Sequence, residues 1–272
     1  MKLILLTLLF FSMQLMATGP RISKSTISPD KKEVFALDAP PFISTEVENG
    51  GMLNEVAVAA FKEAKMDAVV TILPLHSMIK YYLTQENAMV IIGRYMELSA
   101  EDEKSVIAIP LYSAEESYLY YKPKHPQGLE YKGVLSNLKG LTYGASEGEE
   151  TGKYKEAGIT VIKGRTLSLF KKLESGTVDF ISVPEESAKW FLQNKFAEHQ
   201  NNFVAMRTKS VTADISIYFN LNNPNGKASS EGFKNGLRTI VKSGEYAKIL
   251  GKYIKNPDTV NIQTQYIQKF LE

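Results

Sequence analysis

Cysteine is missing from all 272 residues. That gap removes disulfides, thiolate metal sites, cysteine nucleophiles and an N-terminal lipid-bearing cysteine together. Histidine is scarce as well: His76, His125 and His199 are scattered, with no spacing that suits a metal ion. Net charge is only +2, from 32 basic and 30 acidic residues, so no cationic surface for a nucleic acid is advertised. Compositional bias is lacking too. Apolar, charged and aromatic shares of 44%, 23% and 10% describe a globular chain, not a disordered tail or a low-complexity scaffold. The length allows one large domain or two smaller ones, either able to fold without staples. Runs long enough to cross a bilayer are absent, because the apolar stretch Leu3–Phe11 is too short.

That stretch follows Met1-Lys2 and leads through Ser12–Met16 to Ala17. A basic start, a short apolar core and a small residue make a secretory signal. Cleavage is expected after Ala17, with Leu15 an imperfect residue at the minus-three position; an uncleaved anchor is the alternative. Removal of residues 1–17 takes away Lys2 and leaves 31 basic against 30 acidic residues. The expected product is a nearly neutral periplasmic protein, held together by core burial alone.

Within the mature chain, short apolar runs alternate with amphipathic helical patterns. Strands are predicted at Glu33–Asp38, Ala68–Pro74, Ala88–Ile92, Ser117–Lys122, Leu141–Gly144, Ile159–Lys163, Val178–Val183, Phe203–Arg207 and Asp214–Leu221. Leu53, Val56, Ala57, Ala60, Phe61 and Ala64 recur at helical spacing over Met52–Ala64, and Met78, Ile79, Tyr82 and Leu83 repeat the pattern. Thr166 is placed as the cap of a helix that Gly176 stops, and Pro184 at the first turn of another. Ser229 or Ser230 opens a helix broken at Ser243-Gly244, and Ile262, Tyr266, Ile267 and Phe270 mark a last amphipathic segment. Strand–helix alternation argues for parallel sheets with helices on both faces. The pattern appears twice, and no linker separates the blocks. Two α/β lobes joined by extended crossing strands fit that layout, whereas a single undivided sheet contradicts it.

Several phrases then combine: Pro40-Pro41-Phe42; Gly50-Gly51-Met52-Leu53-Asn54-Glu55; Glu86-Asn87-Ala88; Pro110-Leu111-Tyr112; Leu138-Lys139-Gly140-Leu141-Thr142-Tyr143-Gly144; Leu173-Glu174-Ser175-Gly176-Thr177-Val178-Asp179; and Gly232-Phe233-Lys234-Asn235-Gly236-Leu237 before Ser243-Gly244-Glu245-Tyr246. In this order and spacing, from about Val34 to Ile254, the chain resembles the family 3 extracellular solute-binding proteins with the type 2 periplasmic-binding fold. The resemblance implies a two-lobed α/β protein with two crossing hinge strands. Lobe 1 is expected over residues 22–113 and 217–272, and lobe 2 over 114–216. It also implies capture of a small polar solute by hinge closure, for a membrane permease or a receptor, by a monomer that uses no cofactor. Ligands of open parallel sheets bind outside the carboxyl ends of the strands.

The residues expected around such a cleft are Asp38 and Phe42, His76, Arg94 and Tyr95, Asp102, Ser146, Glu147 and Thr151, and Glu185. Phe42 reads either as a stacking surface for the ligand or as lobe core, and His76 either as a donor or as a surface group. Relatives that bind α-amino acids fork the carboxylate with an arginine and hold the ammonium with an acid in lobe 2. The arginine motif Thr-x-x-Arg becomes Ser99-x-x-Asp102 here, and the acid's position holds Pro184, with Glu185 beside it. Arg94 replaces the guanidinium from another angle or pairs with Glu97 or Glu101. Acidic groups collect near the mouth, among them Asp38, Glu97, Glu101, Asp102, Glu147, Glu149, Glu150 and Glu185. Two readings follow. Either they focus a basic amino acid, an amine or a short cationic peptide, or they are solvated carboxylates at helix starts.

Two motifs are set aside. Gly144-x-Ser146-x-Gly148, followed by Asp179 and His199, has hydrolase order, but the elbow falls on the family's ligand loop. Residues 148–154 imitate a phosphate loop one residue short, with Tyr154 in the metal-binding hydroxyl's place. Trp190 reads as lobe packing. Binding rather than catalysis is expected; the rivals are a dehydratase on the same scaffold and a protein-binding relic that has lost its site.

Overall fold

The computed structural model describes residues 32–78, 88–93, 102–206 and 211–272. The leader, Arg94 and Tyr95 lie outside them, as does most of the helical pattern that begins at Met78.

Three strands, β1 (Lys32–Ala36), β2 (Ala68–Ile72) and β3 (Ala88–Ile92), pair in parallel with β1 central. Alternate residues serve opposite faces, as the two-residue period of a strand requires. Val34, Ala36, Met89 and Ile91 enter the larger core, whereas Phe35, Val90 and Ile92 join Met78 on the other side. Helix α1 (Met52–Glu63) packs Leu53, Val56, Ala60 and Phe61 into the larger core. Its first N–H groups find carbonyls in the preceding loop: Met52 donates to Pro41 and Leu53 to Phe42, at 3.0 and 2.8 Å. That close approach requires Gly51, whose φ is +99° and whose Cβ would sit 2.6 Å from the Phe42 carbonyl oxygen.

The second half repeats the plan. Strand β4 (Val106–Tyr121) leads into it, β5 (Thr142–Ser146) pairs in parallel with β6 (Thr160–Gly164), and β7 (Phe180–Pro184) pairs in parallel with β5. Helices α2 (Gly152–Glu156), α3 (Thr166–Glu174) and α4 (Glu185–Asn194) connect them. The short β8 (Phe203–Ala205) pairs with β4, and β9 (Val211–Asn220) returns the chain to the first half. Helices α5 (Gly226–Lys242), α6 (Glu245–Tyr253) and α7 (Pro257–Leu271) complete it.

Hydrogen bonding runs along β2-β1-β3-β9-β4-β7-β5-β6, so the parallel strands of the two halves are joined only through the crossing strands, as a two-lobed layout requires. The continuity comes from two long antiparallel strands, β4 and β9, which are registered from Val106–Asn220 to Glu116–Val211. The cores on either side remain distinct. Those of the first half include Phe61, Phe219 and Phe233, and those of the second include Leu119, Phe170, Tyr143 and Phe180. At the crossing the β4–β9 register shifts between Pro110 and Tyr112. Helix α7 braces both strands there: the Gln263 amide accepts from the Ser113 N–H at 2.9 Å and donates to its carbonyl at 2.7 Å, and the Tyr266 hydroxyl donates to Asp214.

Candidate ligand cleft

Six loops follow the carboxyl ends of six parallel strands and face one hollow. Leu37 and Asp38 come after β1, Leu73 to Leu75 after β2, and Gly93 after β3. Ser146 to Gly148 end and follow β5, Gly164 to Leu167 end β6 and open α3, and Val183 and Pro184 end β7. Ala114 and Glu116 of β4 and Ala213 and Ile215 of β9 form its back wall. The hollow measures about 530 Å³, within the range of small-molecule sites.

Helix α4 ties the halves together beside it. The buried Ser187 hydroxyl donates to the Pro40 carbonyl at 2.7 Å, the Tyr112 hydroxyl donates to Glu186 at 2.8 Å, and Lys195 pairs with Glu46 at 2.5 Å. Burial and the adjacent Glu186 push the Tyr112 phenol far up, so it stays a donor. The other Glu186 oxygen is buried without a hydrogen-bond partner among the described residues.

Asp38, Phe42, Ser146 and Glu147 line the cleft. Asp38 is exposed and has no ion or hydrogen-bond partner among the described residues. Phe42 is 2% exposed and packs against Tyr112 with ring centroids 5.3 Å apart, so most of its surface serves the core. Glu147 stands 3.7 Å from the Arg165 guanidinium in an exposed pair. His76, Thr151 and Glu185 do not line the cleft. His76 is exposed beyond its edge, and Thr151 is buried at the start of α2, where its carbonyl accepts from Tyr154. Glu185 turns to the Ser117 hydroxyl at 3.2 Å and to Lys189 at 3.4 Å. The backbone of Asp102 belongs to a short 3-10 turn at Asp102–Ser105.

The acidic group at the mouth resolves into different roles. Glu150 accepts the Gly152 N–H at 2.6 Å, as a carboxylate at a helix start does. Glu149 is buried: it accepts the Tyr143 hydroxyl at 2.7 and 2.9 Å and the Ser146 N–H at 3.2 Å. Burial raises its carboxyl above the ordinary range, against the lowering effect of Tyr143. The hydrolase order does not assemble. Asp179 bonds His125 at 2.8 Å, Lys124 at 2.7 Å and the Thr142 N–H at 2.7 Å, while His199 pairs with Glu174 at 2.8 Å. No group of three or more potential metal ligands occurs among the described residues.

Trp190 packs against the core of the second half, as expected, and it also borders the hollow, which the sequence does not signal. The structure sets it in the lining, edge-on to Phe191 with centroids 5.2 Å apart and with the Lys195 ammonium 5.7 Å from its ring. Its helical spacing signals only that one side is covered, so nothing local marks the face that meets the hollow.

No family model matches the chain, and no curated protein sequence matches it. Solved structures do. A mutant of ArgBP from T. maritima superposes with a TM-score of 0.67 at 19% identity, over 84% of this chain and 96% of that one. The ligand-binding core of GluR0 from Nostoc punctiforme, in complex with L-glutamate, gives 0.66 at 14%, over 83% and 100%. ArtJ from Geobacillus stearothermophilus, an arginine-, lysine-, histidine-binding protein, gives 0.63 at 21%, over 83% and 96%. The fold is therefore the two-lobed periplasmic-binding fold, with β4 and β9 as its crossing strands.

Proposed function

We propose that this chain is an exported solute-binding protein that captures a small organic solute, an amino acid, amine or relative, by closing its lobes about β4 and β9. It hands that solute to a membrane transporter or reports it to a receptor, acts as a monomer and breaks no bond. Residues 1–17 serve as its leader to the periplasm, and the lobes divide at 113/114 and 216/217. The observation that carries the reading is the cleft itself: the ends of six parallel strands, three from each half, face one hollow across two braced crossing strands. Solved structures of the same fold include an ancestral arginine-binding protein bound to arginine and the GluR0 core in complex with L-glutamate, which supports the solute class. Among the described residues no helix is long and apolar enough to cross a membrane, which accords with delivery to a separate permease.

Small-angle scattering of the mature protein, with and without a panel of amino acids and amines, tests closure. A ligand that favours the closed state reduces the radius of gyration and raises the melting temperature, by the equivalent of about 2.7 kcal/mol at a hundred times its Kd. A panel that leaves both unchanged removes the reading.

A further inference from the structure

Building on the capture reading, we infer that the solute is a monoamine carried on an apolar body, an aliphatic or aromatic amine rather than a second polar or doubly charged amino acid. The cleft wall is made from the uncovered edges of three hydrophobic cores. Leu37, Leu73 and Leu75 are half-buried members of one, Ile215 of a second, Leu167 and Trp190 of a third, and all line the same hollow. A fully polar occupant would displace water from that surface without giving it an apolar partner. An apolar body removes it from water, which is the dominant favourable change available here.

The charged groups of the lining point to the head. Glu46 is paired with Lys195 and Glu147 with Arg165, so these cations and anions are matched within the protein. The Ser182 hydroxyl donates to Glu116 at 3.1 Å. Asp38 alone lines the hollow as an exposed carboxylate with no partner among the described residues. An ammonium is the complementary group, and it needs no desolvated cation from the protein. The contacts of Ser187 in α4 with Pro40 and of Lys195, just after it, with Glu46 close the hollow at one side, which restricts the occupant to a small molecule.

The single tryptophan of the chain lies in this wall and reports occupancy directly. Trp190 emission and melting temperature are followed for the mature protein titrated with 2-phenylethylamine, 3-phenylpropanoate and L-arginine. The expected result is saturable quenching or shift with 2-phenylethylamine, weaker by roughly tenfold or more in Asp38→Asn, and weaker again in Leu167→Asn. Asp38 is exposed, so its variant keeps the fold; its unchanged melting temperature without ligand checks that. Stronger binding of 3-phenylpropanoate than of the amine overturns the cationic head. Binding of L-arginine without 2-phenylethylamine overturns the apolar body and leaves solute capture standing. Silence to all three overturns this assignment, and silence across the wider scattering panel then overturns capture as well.

Discussion

The two halves share a plan but are built from different materials. The first half packs helix on helix: α5 lies along α1, Phe61 and Phe233 meet with centroids 4.7 Å apart, and Phe219 closes on Phe233 at 5.6 Å. Its core is long and almost wholly apolar. The second half divides its interior into two smaller clusters, one of them a stack of tyrosines. Tyr143 lies flat on Tyr154 at 4.1 Å and on Phe180 at 5.0 Å, and Tyr118 donates to or accepts from the Tyr154 hydroxyl at 2.9 Å. This half also holds the carboxylates Glu149, which accepts from Tyr143, and Asp179, both buried and both hydrogen-bonded. The core of one half is therefore held by close packing, and its shifted carboxylates, Glu33 and Glu55, lie outside that core. The other depends on polar groups whose charge state changes with pH.

The sharpest way to break the comparison is at Gly236. A Cβ there would lie 1.9 Å from the Ala60 backbone oxygen, so α5 could not keep its distance from α1. Gly236→Ala is expected to cost at least about 3 kcal/mol. Denaturant unfolding read by far-ultraviolet dichroism, to which the longer helices of the first half contribute most, should move to a lower midpoint. Trp190 emission, which follows the second half, should move less. Coincident movement of both signals would show that the halves melt as one unit and that the contrast in materials has no energetic meaning.

The next effect belongs to the second half. Burial works to raise the Asp179 carboxyl, but bonds from Lys124, the Thr142 N–H and His125 outweigh it and hold it below its ordinary value of 3.8. A lowered folded-state value means stability that is present above the unfolded value and is lost as pH falls through the folded one. Asp179→Ala removes charge-assisted bonds and is expected to cost about 1.5–3 kcal/mol at neutral pH. Its deficit against the parent should shrink as the pH falls below 3.8. A deficit of constant size from pH 7 to pH 3 would mean that Asp179 acts by shape alone.

Glu149 carries the opposite sign. Its folded-state value is raised above the ordinary 4.5, chiefly by burial. The stability tied to its protonated form is complete below the unfolded value and is lost as pH rises through the folded one. Glu149→Gln keeps a carbonyl to accept from Tyr143 and is expected to gain on the parent by about 1 kcal/mol between pH 4 and pH 7. Denaturant midpoints at the two pH values check this, and an unchanged difference removes Glu149 from the pH response. The equivalent experiment in the first half has no buried counterpart among the described residues, because its buried polar groups are Ser44, Ser229, Ser230 and Gln263.

Much of this architecture was legible in the sequence, and the failures have local causes. The strand at Ala88–Ile92 and the helix from Met52 fall where the patterns put them, because a two- or four-residue period survives any tertiary arrangement. The sequence pattern marks β4 only from Ser117, but the strand begins at Val106. Pro110 interrupts the strand signal, and the structure accommodates it at the register shift, where a missing N–H is tolerated. Helix α5 starts at Gly226 rather than at Ser229 or Ser230, and Thr166 is the first helical residue of α3, not its cap; neither helix has a side-chain cap to announce it. Of the cleft, the strand ends were foreseeable from fold rules, so Asp38, Ser146 and Glu147 fall in its lining. Trp190, Arg165 and the edges of three cores were not foreseeable, since residues more than a hundred positions apart meet there only after both halves have folded.

The smallest expected effect lies where the two materials touch. Lys195 of the second half pairs with Glu46 of the first, and their side chains are 32% and 51% exposed. Such a pair is screened by water and contributes only about 0–1 kcal/mol. Neighbouring Ser187, by contrast, donates from a buried position to the Pro40 carbonyl. Glu46→Gln should therefore leave the unfolding midpoint almost unchanged. It should still shift the open–closed balance slightly, since the pair spans the halves and each half retains its own core without it. Scattering at low and high salt separates these effects. The parent should open a little as salt screens the pair, and Glu46→Gln should be insensitive to salt. Equal salt response in both proteins would assign the bond between the lobes to Ser187 and to the Tyr112–Glu186 contact, and the surface pair would play no part in holding the halves together.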